Sequence, residues 1–451
     1  MEGASPTGPV TLKRTLGLSG VLLFGLAYMT PLIVYGTYGV LATASQGTVA
    51  AAYLCALVAI SFTAASYCKL CRLYPVAGSA YTYTRNTFNP HVGFMVGWAA
   101  LLGYFFLPMV IWLIGAAYLA AAFPVIPMWV WIVAFIVTTS VLNIIGLELA
   151  AKFNTVLMVI QFCIVAAFIG LCVRYALQAA GPQGIAGITP FFNFEVPFSA
   201  TIAGAAIACY SFLGFDAVTT LTEETIEPKK NMPRAIMLIA LIGGAIFIIA
   251  SYSIQMAHPG FTFIDSDAAA FEVAKTVGGD IFVTLFLAGL VLAQFASGIS
   301  AQASVGRLLY AMGRDNILQP KALFGYLHPR FKTPAINIAI SGFVGFGALF
   351  LDITTSASFI NFGAFVAFTA ANLCVVRIYL SGDHKGEKMG PVGGLIFPLI
   401  GAALVLMLIL SLDSMAVILG LIWFAIGLAY LAWLTKGFRL APPDASVLDG
   451  V

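Results

Sequence analysis

A single acidic side chain, Asp216, interrupts the apolar run that leads through SFLGFDAVTTLTEET, residues 211–225. A carboxylate at depth in a bilayer costs at least ~2.5–3.5 kcal/mol, so it needs a proton, a cation or another partner. No Lys or Arg in the neighbouring runs is placed to neutralise it. Three kinds of chemistry suit such a group: holding an organic cation, carrying a proton, or capping a helix end. Glu223 and Glu224 follow within the same stretch, roughly two helical turns on. There they would stand at the mouth of a polar path and gate it by pairing with Lys69, Arg72, Arg85 or Arg307. Other reactive residues do not converge. His91, His258, His328 and His384 stand in links or at the ends of apolar runs, without ligand spacing. Cys68-x-x-Cys71 has a metal or redox spacing but no second pair and no nearby His. GASPTGPVTLK lacks the spacing of a phosphate-binding loop. These patterns argue against an enzyme and against an ATP-driven pump, and they imply no cofactor, no metal and no nucleic-acid partner.

The elements that must position Asp216 are membrane helices. The 451 residues are 61% apolar and only 9% charged, with a mean hydropathy of +1.00, whereas a soluble domain carries roughly 25% charged residues. Runs of about 20 apolar residues span a bilayer. The sequence predicts spans at 16–42, 49–68, 91–122, 127–146, 152–177, 199–221, 235–257, 280–312, 335–351, 355–378, 390–411 and 414–435. The fold class is an all-α polytopic membrane protein of about twelve helices. Every Lys and Arg except Arg174 and Lys275 falls on one side of the alternating links or at the adjoining helix ends, which predicts that both termini are cytoplasmic. The polar N-terminus, MEGASPTGPVTLKRTLG, is expected to lack a cleavable signal.

Two of the predicted spans carry interruptions. The first contains GLAYMTPLIVYG, residues 25–36, where a Thr-Pro step and two Gly residues fall within one apolar run. The sixth contains IACYSFLGFDAVTTLTEET, residues 207–225. A break at mid-membrane frees amides on one half-helix and carbonyls on the other. In hydrocarbon such groups are tolerated only in a protein interior or against a polar solute. Breaks in spans one and six predict two five-helix repeats in inverted topology, 16–177 and 199–378, with two further helices over 390–435 between cytoplasmic tails at 1–15 and 436–451. Polarity confined to two mid-span breaks suits an occluded site better than a continuous channel lining.

In order along the chain, GLAYMTP, AGSAYTY (77–83), NPHVGFMVGW (89–98), KFNTV (152–156), SFLGFDAVTTLTEET, LLYAMGRDN (308–316), FGYLHPRFKTPA (324–335) and INFGAFVAFT (360–369) resemble the amino acid–polyamine–organocation superfamily of permeases. Within it, the similarity is greatest to bacterial putrescine importers. The resemblance implies a leucine-transporter-type fold working by alternating access, with substrate between spans one, three, six, eight and ten. Carried over residue by residue, it places Ala27, Tyr28, Met29, Thr30 and Pro31 at the first break and Tyr210, Ser211, Phe212, Leu213 and Gly214 at the second. Tyr210 matches an aromatic residue that covers substrate, and Asp216 matches an acidic residue just past the break. Span three offers Tyr104 and Trp112, span eight Ser297, Ser300 and Ser304 on one helical face, and span ten Asn361. Each also has a plainer role: aromatic anchoring at the membrane interface, close helix packing, or bracing of a helix end.

Three departures refine what the resemblance implies. Pro31 offers no N–H at the first break, where amino acid permeases often hold a substrate carboxylate. Gly36 and Gly103 stand where the putrescine importers carry acidic residues, and Gln161 stands where some proton-coupled members carry a Lys. The expected function is import of a small amine, with putrescine as the reference substrate and H⁺ as the coupling ion. A neutral or zwitterionic amino acid, or exchange of one amine for another, is the alternative.

Overall fold

Why the chain folds as helices follows from where its polar groups can go: in hydrocarbon, each backbone N–H and C=O must be satisfied within its own segment. The computed structural model describes residues 14–75, 79–146, 151–314, 317–382 and 389–443. The helices run in order α1 (Leu18–Met29), α2 (Ile33–Gly36), α3 (Tyr38–Ala44), α4 (Val49–Leu73), α5 (Ser79–Thr87), α6 (Pro90–Ala122), α7 (Met128–Ile144), α8 (Ala151–Ala180), α9 (Phe198–Ala208), α10 (Pro228–Ala257), α11 (Ala269–Arg314), α12 (Lys321–Phe324), α13 (Ala335–Gly345), α14 (Ile353–Ser381), α15 (Phe397–Leu410) and α16 (Ser414–Leu434). Among the described residues, 10 helical segments are long and apolar enough to cross a membrane, and two shorter apolar helices, Met128–Ile144 and Ala335–Leu349, accompany them. The protein is an all-helical, polytopic membrane protein.

The first predicted span is interrupted where the sequence places its break: α1 stops at Met29, Thr30 turns with φ 51°, and the path resumes as α2 and α3. α11 is interrupted at Gly279, whose φ of 65° breaks the helical path, so that its longer part begins at residue 280, where the eighth span is predicted, and a short helix from Ala269 precedes it. The link predicted over 69–90 contains α5, and part of the predicted 222–234 link belongs to α10. α5 and the first turns of α10 carry polar residues that the hydropathy pattern assigns to loops.

Small residues let the helices around the first cavity wall approach closely. A Cβ at Gly363 of α14 would collide with the carbonyl oxygen of Ala99 in α6. α16 is fastened to α6 by a reciprocal pair of hydrogen bonds. Trp98 Nε1 donates to the Trp423 carbonyl and Trp423 Nε1 to the Trp98 carbonyl, each at 2.9 Å, with the two rings stacked 5.0 Å apart. Before α1, the chain pairs with the segment that ends the sixth interrupted span. Thr15 and Leu16 donate to the Glu224 carbonyl at 2.9 and 3.0 Å, and Ile226 donates back to Leu16 at 2.8 Å. Overpacking a close helix contact costs roughly 1–3 kcal/mol. Gly363→Ala is therefore expected to lower the thermal midpoint of the detergent-purified protein by several degrees, measured by fluorescence-detected size exclusion after heating. An unchanged midpoint would show that α6 and α14 have slack at this crossing.

Candidate functional site

At the first break, the helix-ending amides turn inward rather than toward a solute. Thr30 N donates to the Ala27 carbonyl at 3.2 Å and Ile33 N to the Thr30 carbonyl at 2.9 Å, with Pro31 between them carrying no donor. The Thr30 and Ile33 amides are therefore not available to a substrate carboxylate. At the second break, α9 gives way to a tight 3-10 turn at Cys209–Phe212, then to Leu213–Asp216, then to a second 3-10 helix at Ala217–Glu224. Asn361 of α14 donates from Nδ2 to the Ala206 carbonyl at 2.8 Å and reaches the Ile207 carbonyl at 3.5 Å. It thus satisfies carbonyls that the end of α9 would leave orphaned.

The two breaks meet where Tyr28 lies over Gly214. Gly214 has φ 124°, and a Cβ there would fall 2.5 Å from Tyr28 Cδ1. Only a glycine satisfies both the backbone and the ring. Beneath this contact is a cavity of about 70 Å³. Its walls are Tyr28 of α1, Leu213, Gly214, Asp216 and Ala217 of the second break, and Gly97, Ala100, Leu101, Gly103, Tyr104 and Leu107 of α6. Ile360, Ala364 and Ala367 of α14 and Ser79, Ala80 and Tyr81 of α5 complete them. Tyr28 is 36% exposed and lines this cavity.

Among the described residues, Asp216 is the only acidic one whose side chain lines the cavity. It stands at the head of the second 3-10 helix, and its side chain makes no capping hydrogen bond. The backbone amides of Gly214, Asp216 and Ala217 lie near the carboxylate, with geometry that stops short of a cap. The phenols of Tyr28 and Tyr104 lie within electrostatic reach. Chemically, the cavity offers one anion, aromatic surface, hydroxyls from Ser79, Tyr28, Tyr81 and Tyr104, and an otherwise small apolar wall.

Of the residues predicted from the sequence, Tyr28, Tyr104, Gly214 and Asp216 come together in this cavity. Others are placed elsewhere. Met29 is buried against the position of Gly243 in α10. Ala27 is exposed away from the cavity lining, and Thr30 Oγ1 turns back to the Ala27 carbonyl at 3.5 Å. Ser211 shares a 3.1 Å hydrogen bond with Tyr53 of α4, while Phe212 packs on Tyr53 and Phe247. Tyr210 is 6% exposed and does not line the cavity. Ser300 and Ser304 donate to the Ala296 and Ser300 carbonyls of their own helix, each at 3.0 Å. Trp112 is fully buried against Gly298 and Gly345, neither in the cavity nor at a lipid interface. Glu223 is exposed and Glu224 half-buried. Among the described residues neither forms an ion pair with Lys69, Arg72, Arg85 or Arg307, and Lys69 Nζ instead donates to the Gly393 carbonyl. Gly103 is in the wall, whereas Gly36 faces Ile114. Sequence reasoning missed Ser79, Ala80 and Tyr81, because α5 lies in a stretch read as a link; the motif AGSAYTY was its one visible signal.

An unpaired carboxylate beside two interrupted membrane helices defines a solute-binding permease. The chain belongs to the amino acid permease family, whose model matches residues 20–381. It is 42% identical over 440 residues to the low-affinity putrescine importer PlaP of Escherichia coli strain K12, covering 97% of each chain. It is 25% identical over 441 residues to the methylthioribose transporter of Bacillus subtilis, covering 92% of each chain. It is 24% identical over 451 residues to the branched-chain amino acid permease BcaP of the same species, covering 94% of each. The protein is a transporter and not an enzyme.

Accessibility separates the cavity wall from the sealed part of the second break. In a background with the exposed Cys163 replaced by Ser, Ala100→Cys is expected to react with a small water-soluble thiol reagent at least tenfold faster than Ser211→Cys. Equal rates would mean that Tyr53 does not seal Ser211 from the cavity.

Proposed function

We propose that this protein imports a small organic amine across the cytoplasmic membrane by alternating access, with Asp216 as the counter-ion of the ammonium group and H⁺ as the coupling ion. The observation that carries the reading is the Asp216 carboxylate, which lines the cavity with no capping bond and, among the described residues, no ion pair. Supporting it are the engaged Thr30 and Ile33 amides at the first break and the 42% identity to a protein named as a putrescine importer. The reading includes twelve membrane helices, counting the two shorter ones. Ten form two inverted five-helix repeats, 16–177 and 199–378, followed by two appended helices, and both termini are cytoplasmic. Tyr28, Tyr104 and Gly214 shape the site around Asp216. In this reading Tyr210, Ser211, Phe212 and Asn361 support it from behind. Glu223 and Glu224 stand on the cytoplasmic approach. Transport of a zwitterionic amino acid is the second reading, favoured by the likeness to BcaP, and it would need a carboxylate partner other than the first-break amides.

Losing one member of a buried charge pair costs about 2–5 kcal/mol. Asp216→Asn is therefore expected to abolish saturable binding of radiolabelled putrescine in a scintillation-proximity assay, and concentrative uptake with it. Retained binding with loss of concentrative uptake only would make Asp216 the proton carrier and not the counter-ion. Near-normal, pH-dependent uptake would reduce it to a structural role.

With one anion in the cavity, a second ammonium has no dedicated partner. Putrescine is expected to compete less than tenfold better than butylamine, a gap below about 1.4 kcal/mol. A hundredfold preference would require a second anion at the site.

The topology has its own measurement. A protease site inserted after Glu227 is expected to be protected in intact cells and cut in inverted vesicles. Cleavage from the outside would invert the assignment.

A further inference from the structure

We propose that Gly103 sets the length of the carbon chain that the cavity accepts. The proposal rests on the reading of this cavity as the amine site, and it concerns a different property from the one Asp216 supplies. Asp216 attracts the ammonium of every amine alike and does not discriminate among the carbon chains attached to it. Chain length must be judged by the apolar part of the remaining wall, where α6 and α14 present mostly small side chains: Ala100, Gly103, Ala364 and Ala367, bounded by Leu107 and Ile360.

The two wall glycines for which the surroundings of an added methyl group are known differ in kind. At Gly214 a Cβ would strike Tyr28, so that glycine is required by packing. At Gly103 the nearest atom to an added Cβ is Ile360 Cγ2 at 3.9 Å, an ordinary contact distance. Nothing in the packing of α6 therefore demands glycine at 103, and a side chain there would enter the space between α6 and α14 that the cavity uses. Gly in a helix interior is also less favourable than Ala. An unneeded glycine inside α6 has its explanation in the volume it leaves open in front of Ile360. A methyl group there takes up a sizeable part of a cavity of about 70 Å³. In an apolar pocket, room for one methylene more or less changes discrimination by roughly 10–200-fold.

The test is a competition series against radiolabelled putrescine on the purified, full-length protein in proteoliposomes. The competitors are 1,3-diaminopropane, putrescine and cadaverine, with propyl-, butyl- and pentylamine beside them. Gly103→Ala is expected to shift the ratio of three-carbon to five-carbon affinity at least tenfold toward the shorter chain in both sets, and Gly103→Val further. The Ala variant favours the helix, so it keeps the test open if the Val variant does not fold. A uniform loss across all lengths, or an unchanged ratio, overturns the proposal. Asp216→Asn is measured in the same series. If it loses all the amines while the Gly103 variants keep the wild-type ratio, the length assignment fails and the site reading stands. If it binds the whole series normally, the site reading itself fails and the length assignment falls with it.

Discussion

One unpaired carboxylate inside a membrane protein constrains everything near it. Asp216 cannot be left in contact with lipid, and no cation among the described residues is paired with it. The fold answers by surrounding it with a cavity rather than with a partner. Phenols stand at the distance of electrostatic contact, the backbone amides of Gly214, Asp216 and Ala217 lie beside the carboxylate, and much of the rest of the wall is built of small residues. A charge kept in that condition is costly in an empty site, and the cost is relieved when a cation arrives.

Several of the polar groups freed by breaking the two helices are, by contrast, satisfied within the protein. The first break folds the Thr30 and Ile33 amides onto its own carbonyls, and the second receives the Asn361 amide and ties Ser211 to Tyr53. Each of these bonds removes a competitor for the solute. Interrupted helices are usually read as sources of backbone ligands. Here the breaks serve mainly to aim two side chains, Tyr28 and Asp216, into one space, and the Tyr28–Gly214 contact holds the two interruptions in register. The wall opposite is fixed by close approach: Gly363 brings α14 onto α6, and the paired indoles of Trp98 and Trp423 anchor α6 to α16.

Much of this was legible in the sequence, for identifiable reasons. Hydropathy marks helices whose whole circumference is apolar, so the long spans were plain. A Thr-Pro step and the SFLGFD stretch marked both breaks, because few residues are tolerated there without a reason. Asp216 was visible because a lone acid in an apolar run has few explanations. What failed was inference about direction. Spacing on a helix places Ser300 and Ser304 on a face but does not say that their hydroxyls will return to the carbonyls of their own turn. A Trp in an apolar span reads equally as an anchor, a ligand or a core residue, and Trp112 is the last because Gly298 and Gly345 make room for it. α5 escaped notice since its polar residues resemble a loop, although Ala80, Tyr81 and Tyr83 are buried.

The short pairing of Thr15 and Leu16 with the Glu224–Ile226 segment has a mechanical meaning. It joins the segment just before α1 to the end of the 3-10 helix that starts beyond Asp216, while Gly25 of α1 lies against Val218 of that helix. Two chain segments separated by roughly two hundred residues are thereby clamped into a single lever. A rotation of the acid-bearing rod must carry the root of the N-terminal tail with it, unless three backbone hydrogen bonds break. A displacement of Thr15 and Leu16 is thus felt at the segment that begins with Asp216, and the reverse holds as well.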